Sequence, residues 1–532
     1  MAFQQAMTQN TETTTAPKGM TYTENGALAH VTDSQCLKFF TTVMARDKAT
    51  AMSDDKIKQC LSDSWSEDPA LTLRLVAHLR DCREGKGERH ATHVCLQWLL
   101  EHHQVQVEAN YMHLPFYGRW CDLVQFFTAT PFQAKAMQYL AAQLKMDLAV
   151  LQASIAADDA EEARTLLGQL SLAAKWAPSE KCTYDKQAIK AKYAPPSRDL
   201  AVALDLLGHD AMQQLRTMYL TPLRAATGVV ESLLCAQRYD DIDFSKVPSG
   251  ALKMYSAKCF PKHLGEKFAQ WQADVLAGRS KANTSQVDPH EVVRLFMHGC
   301  PEAQKPTLEA FYKIQLDTFR KKYGSVGSTV CVVDTSGSMD GTPLEVAVAL
   351  GVWIAGLADP EWDLFFTFES NPSIVDLSEC KTLEARVEKT RHASWGGSTD
   401  IQATFELMLK RAQDHRLTDE EMPKRLVIIS DMQFDEACGE NCWTNLETIA
   451  AKFRLASYTM PEIVFWNVRG NTGGSAAPAA DHQHGVLMLS GFSKNLIPIV
   501  INGLPIPTPY DVMISTVGSE RYDRMTLAVE SE

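Results

Sequence analysis

The chain has 532 residues, of which 45% are hydrophobic and 22% charged, and its formal net charge is −13. This is the composition of an ordinary soluble globular protein, and it excludes fibrous and low-complexity classes. No run approaches the ~18 apolar residues of a membrane span, and the first residues lack the basic start and apolar stretch of a secretory signal. We therefore predict a cytoplasmic protein without membrane contact.

The first 324 residues divide into an arm and a helical region. Residues 1–30 are rich in Thr, Gln, Asn and Gly, and we predict a flexible N-terminal arm because they offer little apolar surface to bury. In residues 31–324, apolar side chains recur every three or four positions, as in LTLRLVAHLRDC and FQAKAMQYLAAQLKMDLAVLQASIA. This period predicts an all-α domain of HEAT-like helical repeats.

Residues 325–532 have a different pattern of apolar residues. The short β-rich runs STVCVVD, WDLFFTF, RLVIISD, EIVFWNV and GVLMLS alternate with helical stretches. Such alternation predicts a Rossmann-like α/β domain with a mostly parallel central sheet, so the fold class is multidomain, α plus α/β. Residues 321–532 hold 17 basic and 29 acidic residues, a net charge of −12, whereas residues 1–320 hold 35 and 36. The helical region is therefore free to carry a local basic face.

Oxygen-bearing side chains follow two of the predicted strands. Asp334, Ser336 and Ser338 come directly after the first strand, a GGSTD loop at 396–400 opens a helix, and Asp431 ends the strand RLVIIS. In open α/β sheets the ligand site lies beyond the carboxyl ends of the strands. Carboxylates and hydroxyls are hard donors that suit Mg²⁺ or Mn²⁺. The spacing therefore predicts a divalent-metal site at this edge.

This combination resembles the von Willebrand A (vWA) family and its metal-ion-dependent adhesion site (MIDAS). The resemblance implies that Ser336, Ser338 and Thr399 are direct ligands, and that Asp334 and Asp431 act directly or through water. It also implies that an acidic group from a protein partner completes the metal's coordination, so the site docks a partner and needs no catalysis. A metal-dependent hydrolase is the alternative, for which Asp400 and Asp435 are candidate bases.

Several motifs of the helical region carry a second resemblance: TENGALAH, RDCREGKGER, FYGRWCDL, KWAPSEKCTYDK and VVESLLCAQRYDDIDFSKVPSGALKMYSAKCF. With a C-terminal vWA domain, they resemble a family of uncharacterised plant, fungal and viral proteins related to the Ro autoantigen, or TROVE, proteins. The resemblance implies a helical ring closed by the vWA domain. It further implies binding of structured small RNAs outside the ring and of single-stranded RNA ends in its hole.

RNA binding requires basic side chains for the phosphates and planar groups for stacking. Three clusters are candidates: Arg83, Lys86 and Arg89; Lys175, Lys181, Lys186, Lys190 and Lys192; and Lys258, Lys262 and His263. An ordinary solvated helix surface is the competing interpretation of each cluster. We thus expect a non-catalytic RNA-binding or ribonucleoprotein scaffold with a magnesium-dependent docking site, and a scaffold that binds only proteins is the alternative.

Overall fold

The computed structural model describes residues 20–23, 28–46, 51–368, 372–392, 401–434, 445–470, 476–501 and 507–529. A helical region runs to Tyr323, and the main sheet begins at Thr329, on either side of the predicted domain boundary. The expected fold class, a helical region followed by an α/β domain with a mostly parallel central sheet, is confirmed.

The first region is built almost entirely from helices. None of the helices in the described ranges is long and apolar enough to cross a membrane. They are α1 (Gln35–Thr42), α2 (Asp54–Glu67), α3 (Pro69–Arg80), α4 (Arg89–His102), α5 (Gln104–Asn110), α6 (Leu114–Tyr117), α7 (Trp120–Phe127), α8 (Gln133–Ala156), α9 (Ala160–Leu167), α10 (Ala173–Trp176), α11 (Thr183–Lys190), α12 (Pro196–Ala203), α13 (Ala211–Gln214), α14 (Thr221–Ala226), α15 (Val230–Cys235), α16 (Ser249–Tyr255), α17 (Cys259–Leu276), α18 (Pro289–His298) and α19 (Lys305–Tyr323).

The strands in the described residues are β1 (Met20–Tyr22), β2 (Leu28–Val31), β3 (Thr329–Asp334), β4 (Leu364–Phe368), β5 (Ile374–Asp376), β6 (Arg425–Ser430), β7 (Glu462–Asn467), β8 (Ala476–Ala477) and β9 (Val486–Ser490). Six form one sheet in the order β5-β4-β3-β6-β7-β9. Every pair is parallel except β4 with β5, so the one antiparallel strand lies at an edge.

The second region also contains helices α20 (Thr342–Leu357), α21 (Leu383–Arg391), α22 (Ile401–Asp414), α23 (Asn445–Leu455), α24 (Ile497–Ile501) and α25 (Pro509–Val517). Every residue of β3 and β6 is buried. Almost the whole of α20 is buried too, because this helix lies between the sheet and the last helices of the first region. Its largely apolar sequence is explained by that position.

The prediction of a flexible arm is wrong for the described part of residues 1–30. Strands β1 and β2 form an antiparallel pair, and β2 pairs in turn with β8 from the second region. Backbone pairing with a distant strand supplies the order that the composition of the arm does not predict. Residues 20–22 and 28–31 thus belong to a small sheet shared by both regions.

Both ends of the helical region contact the α/β domain. Helix α1 packs on β9 and on α25, whereas α18 and α19 pack on α20 and α21. Arg46, which follows α1, forms a 2.6 Å ion pair with Asp288, the residue that precedes α18. Lys494 donates to the carbonyl oxygens of Ser285 (2.9 Å) and Val287 (2.7 Å). The first helices, the last helices and the α/β domain therefore meet at one junction.

Candidate metal centre and candidate RNA surfaces

Four of the five predicted metal residues come together at the carboxyl ends of β3 and β6. Asp334 ends β3 and Asp431 follows β6, and these strands are neighbours in parallel register. Asp334 is fully buried and Asp431 is 1% exposed. Carboxylates are rarely buried without compensation, so this edge of the sheet is specialised for a polar or cationic group.

Hydrogen bonds hold Asp334 in place. Its Oδ1 accepts from the Ser336 backbone N–H (2.9 Å), and its Oδ2 accepts from the Ser430 hydroxyl (2.6 Å). Burial raises the pKa of Asp334 to about 7, with a further contribution from the negative charge of Asp431, while the hydrogen bonds from Ser430 and Ser336 oppose the rise. A nearby cation would favour the ionised form.

The two serines of the loop lie side by side. Their Oγ atoms are 3.1 Å apart, with Ser336 buried and Ser338 exposed. Asp431 Oδ1 accepts from the Gln433 backbone N–H (3.2 Å), in a tight turn where Met432 takes a φ of 64°. Two hydroxyls and two carboxylates on adjacent loops are the hard oxygen donors that a small divalent ion requires.

Thr399, the fifth predicted ligand, lies outside the described residues, as do Asp400 and Asp435, the candidate bases of the hydrolase alternative. Within the described ranges, no group of three or more His, Cys, Asp and Glu side chains could hold a metal ion. The set around Asp334 is of a different kind because half of its members are hydroxyls. Its chemistry fits Mg²⁺ or Mn²⁺ better than a soft metal.

Arg469 is a member of this site that the sequence interpretation missed. Its Nη1 lies 3.3 Å from Asp431 Oδ2 and also donates to the backbone oxygen of Ser338. Arg469 comes two residues after the end of β7, which is the next strand after β6 in the sheet. The rule that strand ends meet at one edge could have found it.

In the first RNA cluster, Lys86 is not free to bind a phosphate. Lys86 is 2% exposed, and its ammonium donates to the backbone oxygens of Phe40 and Val43 and to the Ser490 hydroxyl (2.6 Å). Burial lowers the pKa of Lys86 to about 7. The Lys86 side chain therefore connects helix α1 to the end of β9 through hydrogen bonds.

The two arginines of the first cluster also serve the helical framework. Arg83 donates to the backbone oxygens of Phe116 (2.6 Å) and Gly118 (3.1 Å), and Arg89 pairs with Asp122 at 3.2 Å. Arg80, which is 4% exposed on its side chain, reaches the same carboxylate at 2.6 Å. The RDCREGKGER and FYGRWCDL motifs are thus joined through one buried carboxylate.

The second cluster divides into paired and unpaired members. Lys175 faces Glu231 at 3.4 Å and Lys181 faces Glu180 at 3.5 Å. Lys186, Lys190 and Lys192 are exposed, and within the described part of the chain none of them forms an ion pair. These three lysines are the members of the cluster that remain free to bind an anion.

The third cluster is exposed at the start of α17. Lys258, Lys262 and His263 all lie at the surface, and the imidazole of His263 stacks on Tyr239 with ring centroids 4.4 Å apart. The stacking leaves one face of the imidazole ring covered by protein. The cluster is accessible to solvent, but only one face of the His263 ring remains free for stacking on a base.

Comparison with known proteins agrees with this two-part organisation. Residues 23–125 and 132–323 match the family described as Domain of unknown function (DUF2828), which is more than half of the chain. The chain belongs to the DUF2828 family. Its residues 328–519 match a second family, Domain of unknown function (DUF7788). The two matches meet between the last helix of the helical region and the first strand of the main sheet.

The DUF2828 chain has a viral relative of similar length. This chain is 30% identical over 517 residues to the uncharacterized protein L728 of Acanthamoeba polyphaga mimivirus. The aligned residues cover 91% of this chain and 85% of the relative. Among solved structures, the Ro (RSR) protein of Deinococcus radiodurans is similar with a TM-score of 0.44 and 14% identity. That similarity covers 91% of this chain and 99% of the Ro chain.

Proposed function

We propose that this protein is a non-catalytic RNA-binding scaffold whose α/β domain docks an acidic partner through a divalent metal ion. The observation that carries the RNA part is the basic surface formed by Lys181, Lys186, Lys190, Lys192 and Arg198, all of which are exposed. The sequence motifs that resemble those of Ro-related proteins point to the same activity.

Acidic residues near the basic surface neutralise only part of its charge, since Glu180 pairs with Lys181 at 3.5 Å. Residues 175–198 contain six Lys and Arg but two acidic residues, Glu180 and Asp185. Asp185 is buried and accepts from the Lys181 backbone N–H (2.8 Å) and the Ser197 hydroxyl (2.6 Å). The Asp185 carboxylate therefore holds the loop through buried hydrogen bonds and does not pair with the exposed lysine ammonium groups.

An aromatic side chain accompanies these cations. Tyr193 is 38% exposed and follows Lys192 directly. Phosphates bind Lys and Arg through charge neutralisation, and an exposed aromatic ring offers a base a surface for stacking. Single-stranded RNA presents both groups, whereas paired bases cannot reach a ring in this way.

We expect the triple substitution Lys186→Ala, Lys190→Ala and Lys192→Ala to weaken binding of single-stranded RNA. Each lost phosphate contact contributes about 0.7 to the slope of log affinity against log salt concentration, so the slope should flatten by about 2. The measurement is a fluorescence-anisotropy titration of labelled RNA between about 50 and 200 mM salt.

The matched control is the triple substitution Lys381→Ala, Lys410→Ala and Lys424→Ala, which removes the same charge from exposed positions of the α/β domain. Affinity and salt slope of this control should equal those of the unmodified protein. Absence of RNA binding at low salt would exclude the RNA proposal and favour a scaffold that binds only proteins.

The docking part of the proposal rests on the hydroxyls and carboxylates around Asp334. Asp334, Ser336, Ser338 and Asp431 would hold the ion, which supplies a positive charge with an open coordination position. Residues 321–532, which include this site, have a net charge of −12, so a bound cation would also reduce repulsion among neighbouring carboxylates. An acidic partner group would then bind where, without the ion, it would be repelled.

We expect Mg²⁺ or Mn²⁺ to raise the melting temperature, and Ser338→Ala to reduce that increase. An ion that binds only the folded state at about 100 times its Kd stabilises it by about 2.7 kcal/mol. Ser338 is exposed, so its loss should not disturb the core. Differential scanning calorimetry with the ion or with EDTA measures the effect.

Ser66→Ala, an equally small change at an exposed serine of α2, should leave the increase intact. A melting temperature that ignores Mg²⁺, Mn²⁺ and EDTA in the unmodified protein would contradict the metal proposal.

A further inference from the structure

The guanidinium of Arg469 lies between the two loops that carry the metal donors. Nη1 is 3.3 Å from Asp431 Oδ2 and donates to the Ser338 backbone oxygen, so one cation bridges the loop after β3 and the loop after β6. Asp431 is 1% exposed, whereas the Arg469 side chain is 28% exposed. The buried carboxylate is therefore compensated by a cation that reaches it from the solvent side.

The backbone around Arg469 fixes where its side chain begins. The Arg469 N–H donates to Asn467 Oδ1 (2.8 Å), and the Asn467 backbone oxygen accepts from the Gly491 N–H (3.1 Å). A Cβ on Gly470 would lie 2.4 Å from the Met44 carbonyl oxygen, so this loop is pressed against the helical region. The guanidinium is thus a tethered cation, because its backbone is anchored while its side chain is partly exposed.

The hydrogen bonds of this guanidinium are incomplete. Its Nε is buried and finds no acceptor among the residues that the structure describes. An arginine with an unsatisfied donor is held less firmly than one in a bidentate pair. A divalent ion seeking the same Asp431 oxygen would be repelled by the guanidinium until the side chain swings away.

We propose that Arg469 acts as a built-in competitor of the metal ion, occupying the Asp431 side of the site until a divalent ion displaces it. This inference rests on the proposed metal-dependent function. Arg469 compensates the charge of Asp431 when no ion is bound and sets the ion concentration at which docking becomes possible. It is a regulatory residue of the site and not a ligand.

The test is isothermal titration calorimetry of the full chain with Mn²⁺ and with Mg²⁺. Arg469→Gln removes the competing charge, and the variant should bind either ion about tenfold more tightly, a coupling of ordinary size for two interacting sites. Arg454→Gln is the charge-matched control: Arg454 is exposed near the end of α23, eight residues before β7 begins, and affinity should not change.

A second readout needs no metal. In EDTA, Arg469→Gln should lower the melting temperature more than Arg454→Gln does, because Asp431 loses its only described ion pair. Equal or weaker metal affinity of Arg469→Gln overturns the competitor role while the metal proposal stands. Failure of both proteins to bind either ion overturns the metal proposal and the competitor role together.

Discussion

Replacing Asp122 with asparagine is expected to lower the free energy of unfolding of the helical region by about 3–5 kcal/mol, because removal of one partner leaves a buried charge uncompensated. The Asp122 carboxylate is fully buried and faces both Arg80 and Arg89. Arg80 is 4% exposed on its side chain, so water cannot replace the lost carboxylate. Urea denaturation followed by tryptophan fluorescence measures the loss.

The packing around Asp122 leaves no room for relaxation. A Cβ on Gly118 would lie 2.0 Å from Asp122 Oδ2, so the chain approaches the carboxylate as closely as glycine permits. Asp158→Asn makes the same chemical change at an exposed position and should leave the urea midpoint unchanged. Equal midpoints for the two variants would contradict the role of Asp122.

The second large effect is expected for Tyr522→Ala, which should destabilise the contact between the C-terminal segment and the first helices by about 3–5 kcal/mol, the usual loss for a large buried aromatic side chain. The Tyr522 ring is 2% exposed and stacks on Tyr117 with centroids 5.6 Å apart. Its hydroxyl contacts His78 Nδ1 (3.0 Å) and Asp81 Oδ2 (3.2 Å).

Hydrogen exchange locates this second effect. Amide protection should fall in residues 507–529 and in α3, since local opening follows the contacts that are lost. Val529→Ala changes an exposed residue of the same segment and should leave amide protection unchanged in both residues 507–529 and α3. Unchanged protection of α3 in Tyr522→Ala would show that the C-terminal segment is not needed to hold the first helices.

These two predictions share a structural cause, which is that the two regions are interlocked. Residues of the C-terminal segment bind the helical region, as in the ion pair of Arg521 with Asp81 and the hydrogen bonds of Asn110 to Thr526. Strand β2 of the N-terminal region pairs with β8 of the other. Variants are therefore best tested in the full chain.

The fold class and the candidate metal site followed from local sequence patterns. The five predicted strand runs correspond to β3, β4, β6, β7 and β9. A short run of consecutive apolar residues indicates a buried strand from the local sequence alone, without knowledge of the strands beside it. Asp334 and Asp431 could be placed together because the carboxyl ends of parallel strands share an edge. The short strand β5 was not predicted, because three residues are too few to show a period.

Only the tertiary structure decided which charged residues are free. Lys86 and Lys186 look alike in the sequence, yet one is buried against Ser490 and the other is exposed and unpaired among the described residues. Likewise, strand order places Arg469 near Asp431, but their contact depends on how two loops meet. Sequence periodicity reports which face of an element is buried, whereas the partner of a charge is set by residues far apart in the chain, brought together when both ends of the helical region close on the α/β domain.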